Sequence, residues 1–365
     1  MRVSVRGLSP LLATLILIAI VVSAGAAIYL SIMNMTSTFS GVLSVQLASA
    51  NLVVSGNSAL LTVSVKNAGN TPLAGIIVAG YDDNGKCFKL ALPPAEPGQT
   101  SGNTLIIPLN VPFIALDGSG NNNHGAIYGA TWVDGIYGKA LSFDGADDYA
   151  RIVTFDWEEL FPNGFSIALY AHPLTYNIMQ NHVLSNVELK PGANPNAYIK
   201  LYYNGADKRF EFSMRDTISG EGIWPFPPIN SAPDLRWYHI VWSWDRQKHL
   251  IYQDGQLIRL ATDTRTNKGI AYLGCDLGRG VHPPYYGNLI IDEMCVYDRA
   301  SVEVESNVIS KGLPPTDGLV LWLPLDEGSN VPFSFTAGGK YALTVTAYTF
   351  DGSTTTHAIT VVAAA

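Results

Sequence analysis

The longest apolar pattern in the chain lies within its first thirty-three residues. Residues 11–33 form an apolar run without a charged side chain. A helix over residues 8–33 would measure roughly 39 Å at about 1.5 Å per residue, which is enough to span a bilayer. Ser9 can cap such a helix, and Pro10 falls in its first turn, where a missing N–H costs nothing. The pattern predicts a long N-terminal α-helix over residues 8–42.

Behind this run, short segments alternate between apolar and polar residues. Leu61, Val63 and Val65 share one face of such a segment while Thr62 and Ser64 take the other, which is the pattern of a half-buried strand. The same pattern predicts five strands early in the chain and two at its end: 45–54, 60–66, 75–81, 87–92, 104–109, 340–350 and 354–362. Five strands alone would leave an exposed sheet edge. We therefore predict one discontinuous sandwich made of residues 43–112 and 332–365.

A four-residue repeat marks both ends of the segment that separates these strands. The sequence Asn110-Val111-Pro112-Phe113 recurs as Asn330-Val331-Pro332-Phe333. Deleting one copy with everything between the copies would join the fifth predicted strand to the sixth. We interpret residues 113–331 as a domain inserted into the sandwich.

Composition favours all-β domains over a helical enzyme. Only 14% of the 365 residues are charged, whereas the chain has 34 Gly, 21 Pro and 18 Tyr, a balance typical of sheets joined by many turns. The net charge of −8 and the scattered Lys and Arg residues give no basic surface for nucleic acid. Three cysteines are too few for a disulfide framework. Cys275 and Cys295 could pair, although alternation puts Cys295 on the face opposite Met294 and Val296.

The start of the chain resembles the N-termini of archaeal type IV pilins and archaellins. The resemblance lies in Arg6-Gly7-Leu8-Ser9-Pro10 and in the apolar run behind it. In that family a membrane peptidase cuts after the Gly, and the helix then packs into the core of a filament. The resemblance implies a class III signal peptide over residues 1–7 with processing at Arg6, Gly7 and Leu8. It also implies a prepilin peptidase and membrane assembly machinery as partners, and self-association into a helical homopolymer.

This resemblance leads to one structural hypothesis and leaves an alternative open. The leading hypothesis is a subunit of an extracellular pilus filament, whose precursor lies in the cell membrane with a cytoplasmic N-terminus and whose inserted domain is exposed for adhesion or glycan contact. The alternative is a membrane-anchored, non-polymerising surface protein that binds carbohydrate. An apolar run that is never cut would simply remain in the bilayer.

The two predicted β-domains each resemble a known family. Tyr341, behind Gly338-Gly339, resembles the tyrosine corner of immunoglobulin-like sandwiches. The insert is similar to the laminin-G-like (concanavalin A-like) jelly rolls, and segment 318–328 reads like the first strand of that family although it comes last, which implies a circular permutation. The motifs that carry this second resemblance are 117–125, 138–149, 237–241, 252–256 and 287–293.

Together these patterns and resemblances predict the fold class. We expect a mainly β chain with a long N-terminal α-helix and an Ig-like β-sandwich interrupted by a laminin-G-like jelly roll.

The sequence gives no sign of catalysis. Retaining glycoside hydrolases need two carboxylates about 5 Å apart, and their usual signature places them two residues apart on one strand. Asp292 and Glu293 are adjacent, so a strand would point them to opposite faces. We expect no enzyme activity and no essential cofactor.

The jelly-roll resemblance also implies a structural calcium ion, because hard cations bind carboxylates and carbonyls. The implied ligands are Asp292, the carbonyl of Gly145, and Asp326. The competing interpretation is that these acids cap turns and accept hydrogen bonds from backbone amides.

Surface glycans are the remaining candidate partner. Trp224, Tyr285 and Tyr286 lie in proline-rich loops and offer rings that could stack on a sugar. The competing interpretation is that these rings pack against their own domain.

Overall fold

The computed structural model describes residues 42–280, 285–300 and 313–365, and almost all regular structure in them is β-strand. The helix in this part of the chain is α1, Trp157–Leu160, four residues long and capped by the Asp156 carboxylate. No described helix has the length and apolar character needed to cross a bilayer.

The predicted fold class is therefore corrected: the described protein is mainly β with one short helix, not β with a long N-terminal helix. The prediction relied on helix-type hydrophobicity at the start of the chain. Apart from Val42, the predicted helix 8–42 falls outside the described residues, as do Arg6, Gly7 and Leu8.

Strands from both ends of the chain form one seven-stranded sheet around a single apolar core. We call this part of the structure the sandwich. The order of its strands is β4-β3-β23-β24-β1-β2-β5, and β1 meets β24 through a short parallel contact at Leu52 and Val53. The strands are β1 Val45–Ser55, β2 Ser58–Asn67, β3 Gly75–Tyr81, β4 Cys87–Leu92, β5 Thr100–Pro108, β23 Lys340–Tyr348 and β24 Thr354–Ala364. All seven strands that alternation predicted are thus confirmed, within a few residues at their ends.

The chain between β5 and β23 builds two further sheets. One is nine-stranded, in the order β16-β15-β14-β12-β20-β10-β7-β6 with β13 paired to β20. Its strands are β6 Ile114–Ala115, β7 Gly125–Tyr128, β10 Tyr149–Asp156, β12 Asn181–Ser185, β13 Glu188–Leu189, β14 Tyr198–Asn204, β15 Arg209–Arg215, β16 Gly222–Ile223 and β20 Tyr272–Leu277.

The other sheet of this segment is eight-stranded, in the order β19-β18-β17-β11-β21-β9-β8 with β22 paired to β21. Its strands are β8 Thr131–Asp134, β9 Lys139–Asp144, β11 Phe165–Pro173, β17 Tyr238–Trp244, β18 Lys248–Gln253, β19 Gln256–Thr262, β21 Asn288–Tyr297 and β22 Leu319–Leu323. The two sheets bury one large aromatic-rich core between them, which includes Trp157, Phe212 and Trp242.

The two ends of this segment meet. Leu109 and Phe333 form a parallel bridge, so the chain leaves the sandwich and returns to it at one place. Inside the segment, Asp117 Oδ1 accepts a hydrogen bond from Trp322 N at 3.0 Å, which ties the first loop to the last strand. Neighbouring ends are what an insertion requires.

The sandwich covers the outer face of the eight-stranded sheet. Alternation along β21 sends Met294 and Val296 into the core between the two sheets, and Cys295 and Tyr297 to the other side. There they pack with residues of the sandwich strands, among them Ile77, Ala91 and Tyr348. Both faces of the central strands of this sheet are thus buried, while its edge strand β19 is largely exposed. Cys275 and Cys295 lie in different clusters as free thiols.

Tyr341 ties the start of β23 to the loops around it. Its hydroxyl donates to Asp83 Oδ1 at 2.8 Å and accepts from Thr336 N at 2.7 Å.

We expect Tyr341→Phe to lower the free energy of unfolding by about 1 kcal/mol, the net value of a typical hydrogen bond, when measured by urea denaturation. Tyr81→Phe, at an exposed tyrosine, should change it little; equal losses in both variants would contradict this role.

Candidate functional site

A buried cluster of charges lies where the sandwich meets the insert. The Lys89 ammonium, from β4, lies 3.2 Å from Glu293 Oε1 and 2.5 Å from Asp326 Oδ2. Trp322 Nε1 donates to the other oxygen of Glu293 at 2.8 Å. One cation of the sandwich thus serves two carboxylates of the insert. A cleft of about 550 Å³ opens beside it, lined by residues of both parts, Tyr81, Lys139 and Asp326 among them.

Burial dominates the electrostatics of these acids. It raises the pKa of Glu293 to about 7, against the lowering effect of Lys89. Burial, together with the neighbouring Glu293, raises the pKa of Asp292 to about 8. The pKa of Lys89 is raised because the attraction of Glu293 and Asp326 outweighs its own desolvation.

The structure brings two of the three predicted calcium ligands to the same turn but leaves the third apart. Asp292 Oδ2 accepts from Ile136 N and Tyr137 N, and Asp326 Oδ1 accepts from Lys139 N. Asn288 pairs with Asp144, the residue before Gly145, which puts Gly145 about 13 Å from Asp292 at about 3.3 Å per residue.

These three residues therefore do not form one donor set for a metal ion. The Lys89 ammonium already neutralises Asp326, whereas Asp292 Oδ1 is buried with no hydrogen-bond partner. The acids do accept backbone amide hydrogens, as the competing interpretation expected. Calcium binding itself stays a prediction.

Gly145 instead belongs to a turn with its own acids. The carboxylates of Asp144, Asp147 and Asp148 approach within 4.8 Å of one another. Two of them accept hydrogen bonds within the turn, Asp148 from Asp144 N and Asp144 from Ala146 N. Such bonds are typical of an acidic turn and do not identify a ligand.

The outer face of the nine-stranded sheet carries a different kind of surface, which we call the polar face. Alternation in β14 turns Ile199, Leu201 and Tyr203 into the core and therefore places Tyr198, Lys200 and Tyr202 on the outside. The pairing of neighbouring strands in register places further residues on this same face. Its residues are Tyr149, Arg151, His182, Ser185, Tyr198, Lys200, Tyr202, Glu211, Ser213, Arg215 and Asp276.

Both carboxylates on this face are held by arginines. Arg151 makes a two-pronged pair with Asp276, with N–O distances of 2.8 and 2.7 Å. Arg209 Nε donates to Glu211 Oε1 at 2.8 Å, and Tyr202 donates to the other oxygen of Glu211. Each acid is thus fixed as a hydrogen-bond acceptor, and neither is placed as a free acid or base.

Trp224 lies at the outer edge of the polar face, directly after β16. Its ring folds back over Gly222, where an added Cβ would meet the indole at 2.4 Å, so a side chain there would displace the ring. The guanidinium of Arg215 lies 5.6 Å from the ring centres of both Trp224 and Tyr198. Trp224 is 46% exposed, and its ring remains available to a ligand.

Tyr285 reaches the same face from the opposite side. Its ring stacks on His182 at 5.8 Å between centres, and His182 lies 5.5 Å from Tyr202. Tyr286 pairs with Arg279 in a backbone bridge, and that guanidinium lies 5.9 Å from its ring. Three strand intervals of about 4.8 Å separate the strands of Trp224 and His182, so the rings line a surface about 14 Å across.

The sequence pattern predicts the ends of this surface but not its middle. Aromatic residues in proline-rich loops indicate Trp224 and Tyr285, while no motif indicates Tyr198, Lys200 and Tyr202. Their signal was present, because polar and apolar residues alternate through β14. What the sequence lacked was the pairing that brings β12 and β15 to either side of that strand.

Comparison with protein families supports a jelly roll in the insert. Residues 144–305 match the family described as the concanavalin A-like lectin/glucanases superfamily. This segment carries most of both sheets of the insert, and the laminin-G-like or concanavalin A-like part of the sequence interpretation is confirmed.

Solved structures are similar to the chain at low identity. Domain 4 of AbnA, an extracellular arabinanase from Geobacillus stearothermophilus solved with arabinotriose, is 19% identical over 51% of this chain and 87% of that one, with a TM-score of 0.39. The binding domain of botulinum neurotoxin serotype D is 11% identical, with a TM-score of 0.43; the match covers 53% of this chain and about half, 47%, of that one.

Other comparisons add nothing to the pilin hypothesis. No curated protein matches the chain, and the family match concerns the jelly roll alone. The interpretation as an archaeal pilin thus gains no support.

The cluster of Lys89, Glu293 and Asp326 leads us to predict that removal of the ammonium lowers stability to a degree that depends on pH. Lys89→Met should lower the free energy of unfolding by about 3 kcal/mol at pH 8, because two buried carboxylates then lack their cation. The loss should shrink toward pH 5, where Glu293, with its raised pKa of about 7, is protonated and needs no partner. Denaturant unfolding at both pH values measures this.

The double variant Lys89→Met/Glu293→Gln is the matched control for that experiment. It should regain part of the lost stability at pH 8, since the unpaired charge of Glu293 is gone while Trp322 keeps an acceptor, and Asp326 alone still lacks the ammonium. A double variant as unstable as Lys89→Met would show that packing, not charge, explains the loss.

The buried His239 side chain leads us to predict a second pH dependence, in which the free energy of unfolding falls as the pH falls. Burial lowers its pKa to about 4, so the unfolded chain takes up a proton near pH 6.5 that the folded protein refuses. This contribution to stability is present above pH 6.5 and is lost as pH falls toward 4, at up to about 1.4 kcal/mol per pH unit. His239→Phe should flatten the fall of unfolding free energy over this range; an unchanged slope would contradict the assignment.

Proposed function

We propose that the inserted jelly roll binds carbohydrate on its polar face and has no catalytic role. The observation that carries this proposal is the arrangement of rings and hydrogen-bonding groups on one sheet face. Trp224 and Tyr285 are exposed at its two sides. Between them lie polar side chains fixed by their neighbours, including Glu211 and Asp276.

The placement of the sandwich favours this face over the opposite one. The outer side of the eight-stranded sheet is buried against strands β3, β4 and β23, so it cannot receive a polymer. The nine-stranded sheet has no such cover among the described residues, and its outer residues include half-exposed Lys200 and Arg215. A long ligand can reach this face without disturbing the fold.

A binding role fits the chemistry better than hydrolysis. Glycoside hydrolases need one carboxyl group as an acid and a second as a nucleophile or base. On the polar face, Asp276 and Glu211 are both paired with arginines, so neither carboxyl group is free to act as an acid or a nucleophile. The match to the concanavalin A-like lectin and glucanase family supports a sugar ligand. It does not distinguish binding from hydrolysis, so the arrangement of the carboxylates decides between them.

This proposal follows the alternative of the sequence analysis, a surface protein that contacts glycans, rather than the filament subunit. We place the protein outside the cell, where such ligands are presented. No step of the binding depends on assembly with other copies or on a metal ion.

Loss of the exposed indole should weaken binding. We expect Trp224→Ala to reduce affinity for a retained polysaccharide by at least tenfold, because a sugar ring that covers about 60 Å² of the indole buries apolar surface worth roughly 1.5 kcal/mol. Affinity electrophoresis against a panel of soluble polysaccharides, followed by calorimetry, measures it.

Phe350→Ala is the matched control. Phe350 is 43% exposed on the sandwich, far in sequence from the polar face, and its loss should leave affinity unchanged. If Trp224→Ala and Phe350→Ala bind as the parent does, the polar face is not the sugar site.

A further inference from the structure

The charges on the polar face do not balance. The chain as a whole carries a net charge of −8, yet this face holds more arginines and lysines than carboxylates. Asp276 is shared by Arg151 and Arg279, and Glu211 is taken by Arg209. Among the described residues, no carboxylate lies within 4.0 Å of Lys200 or Arg215, which leaves both without an ion-pair partner.

Lys200 is held by aromatic rings instead of acids. Its ammonium lies 4.6 Å from the ring centre of Tyr198 and 5.3 Å from that of Tyr202. Cation–π contacts of this kind attract a cation without neutralising it. Burial, and to a lesser extent the nearby charge of Arg215, lowers the pKa of Lys200, while Tyr198 and Glu211 act to raise it. The ammonium is thus partly desolvated.

Arg215 lies against the same tyrosine from the neighbouring strand. It pairs in register with Tyr198, and its guanidinium lies between the rings of Tyr198 and Trp224. Its Nε is buried and has no hydrogen-bond partner. The guanidinium also has no carboxylate partner among the described residues, and an anionic ligand would supply that negative charge.

We propose that the polar face selects anionic oligosaccharides, with a carboxylate or sulfate group bound between Lys200 and Arg215 and the adjoining sugar ring stacked on Trp224. The proposal rests on the sugar-binding function above and names its ligand class. An anionic group would pair with both cations at once. The indole beside them offers an apolar surface on which a sugar ring can stack.

The same observations favour a glycan over a nucleic acid. Nucleic-acid binding scales with the number of phosphates neutralised, and this face offers only two cations free of carboxylates. The overall negative charge of the chain would repel a long polyphosphate. A glycan whose charges are few and separated needs only these two cations, and the net negative charge of the chain repels it less than it repels a polyphosphate.

The experiment compares an anionic glycan with its neutral counterpart. An oligogalacturonate and its carboxyl-reduced form, and a sulfated oligosaccharide and its desulfated form, are titrated into the full protein by calorimetry. We expect the charged member of at least one pair to bind at least tenfold more tightly, and its advantage to fall as salt is raised. Lys200→Gln and Arg215→Gln should each remove most of that advantage and spare neutral binding.

Arg259→Gln is the matched control, since Arg259 is an exposed cation on β19, in the other sheet of the insert. It should leave the preference intact. Melting temperatures of all three variants verify that they fold.

The remaining outcomes separate the two proposals. Equal affinity for charged and neutral members, lost in Trp224→Ala, would overturn the anion preference and leave the sugar-binding function standing. Absence of binding to every glycan in a wider panel would overturn both. Inorganic sulfate binding as tightly as the oligosaccharide, or a single-stranded oligonucleotide binding more tightly, would overturn the glycan as the source of the anion.

Discussion

The burial of the eight-stranded sheet on both faces is the constraint on which the rest of the structure depends. One face closes the core of the jelly roll and the other packs against the sandwich. Apolar burial contributes roughly 25 cal/mol per Å², so this sheet joins the two parts into one unit. In the described part of the insert, the nine-stranded sheet keeps a broad outer face, and we propose that the ligand binds there.

Polar groups at the junction are fixed by the same burial. Lys89 reaches across it to Glu293 and Asp326, and the indole of Trp322 completes the acceptors of Glu293. Buried ion pairs contribute little net stability compared with apolar contacts, but they are costly to break. The cluster therefore favours one arrangement of sandwich and insert over others.

The polar face follows a different rule. At the junction Lys89 pairs with Glu293 and Asp326, whereas Lys200 and Arg215 are held by rings. Cations held near a sheet surface in this way are preorganised for an anion. The first cluster is closed by its own residues, and we propose that the second is completed by an anionic ligand.

Local alternation made the sandwich strands predictable. Leu61, Val63 and Val65 are all buried as the pattern indicated, because a strand with one buried face must repeat every two residues. The long N-terminal helix shows the limit of such patterns: it was inferred from an apolar run, a capping Ser9 and a family resemblance, and apart from Val42 it lies outside the described residues. The two copies of Asn-Val-Pro-Phe show another limit: Phe333 is 2% exposed under Lys86, while Phe113 is 47% exposed.

The sequence by itself determined which residues of the sandwich strands share a face, and it predicts where the insertion begins and ends. It located Trp224 and Tyr285 as candidate rings, because exposed aromatics in loops need no partner to be noticed. Only the tertiary structure decided that β15 and β12 flank β14, which sets Arg215 beside Tyr198 and His182 beside Tyr202. It also decided that Lys89 meets Glu293 across 204 positions. Strand order and long-range charge pairing depend on burial summed over the whole chain, and no local pattern contains that sum.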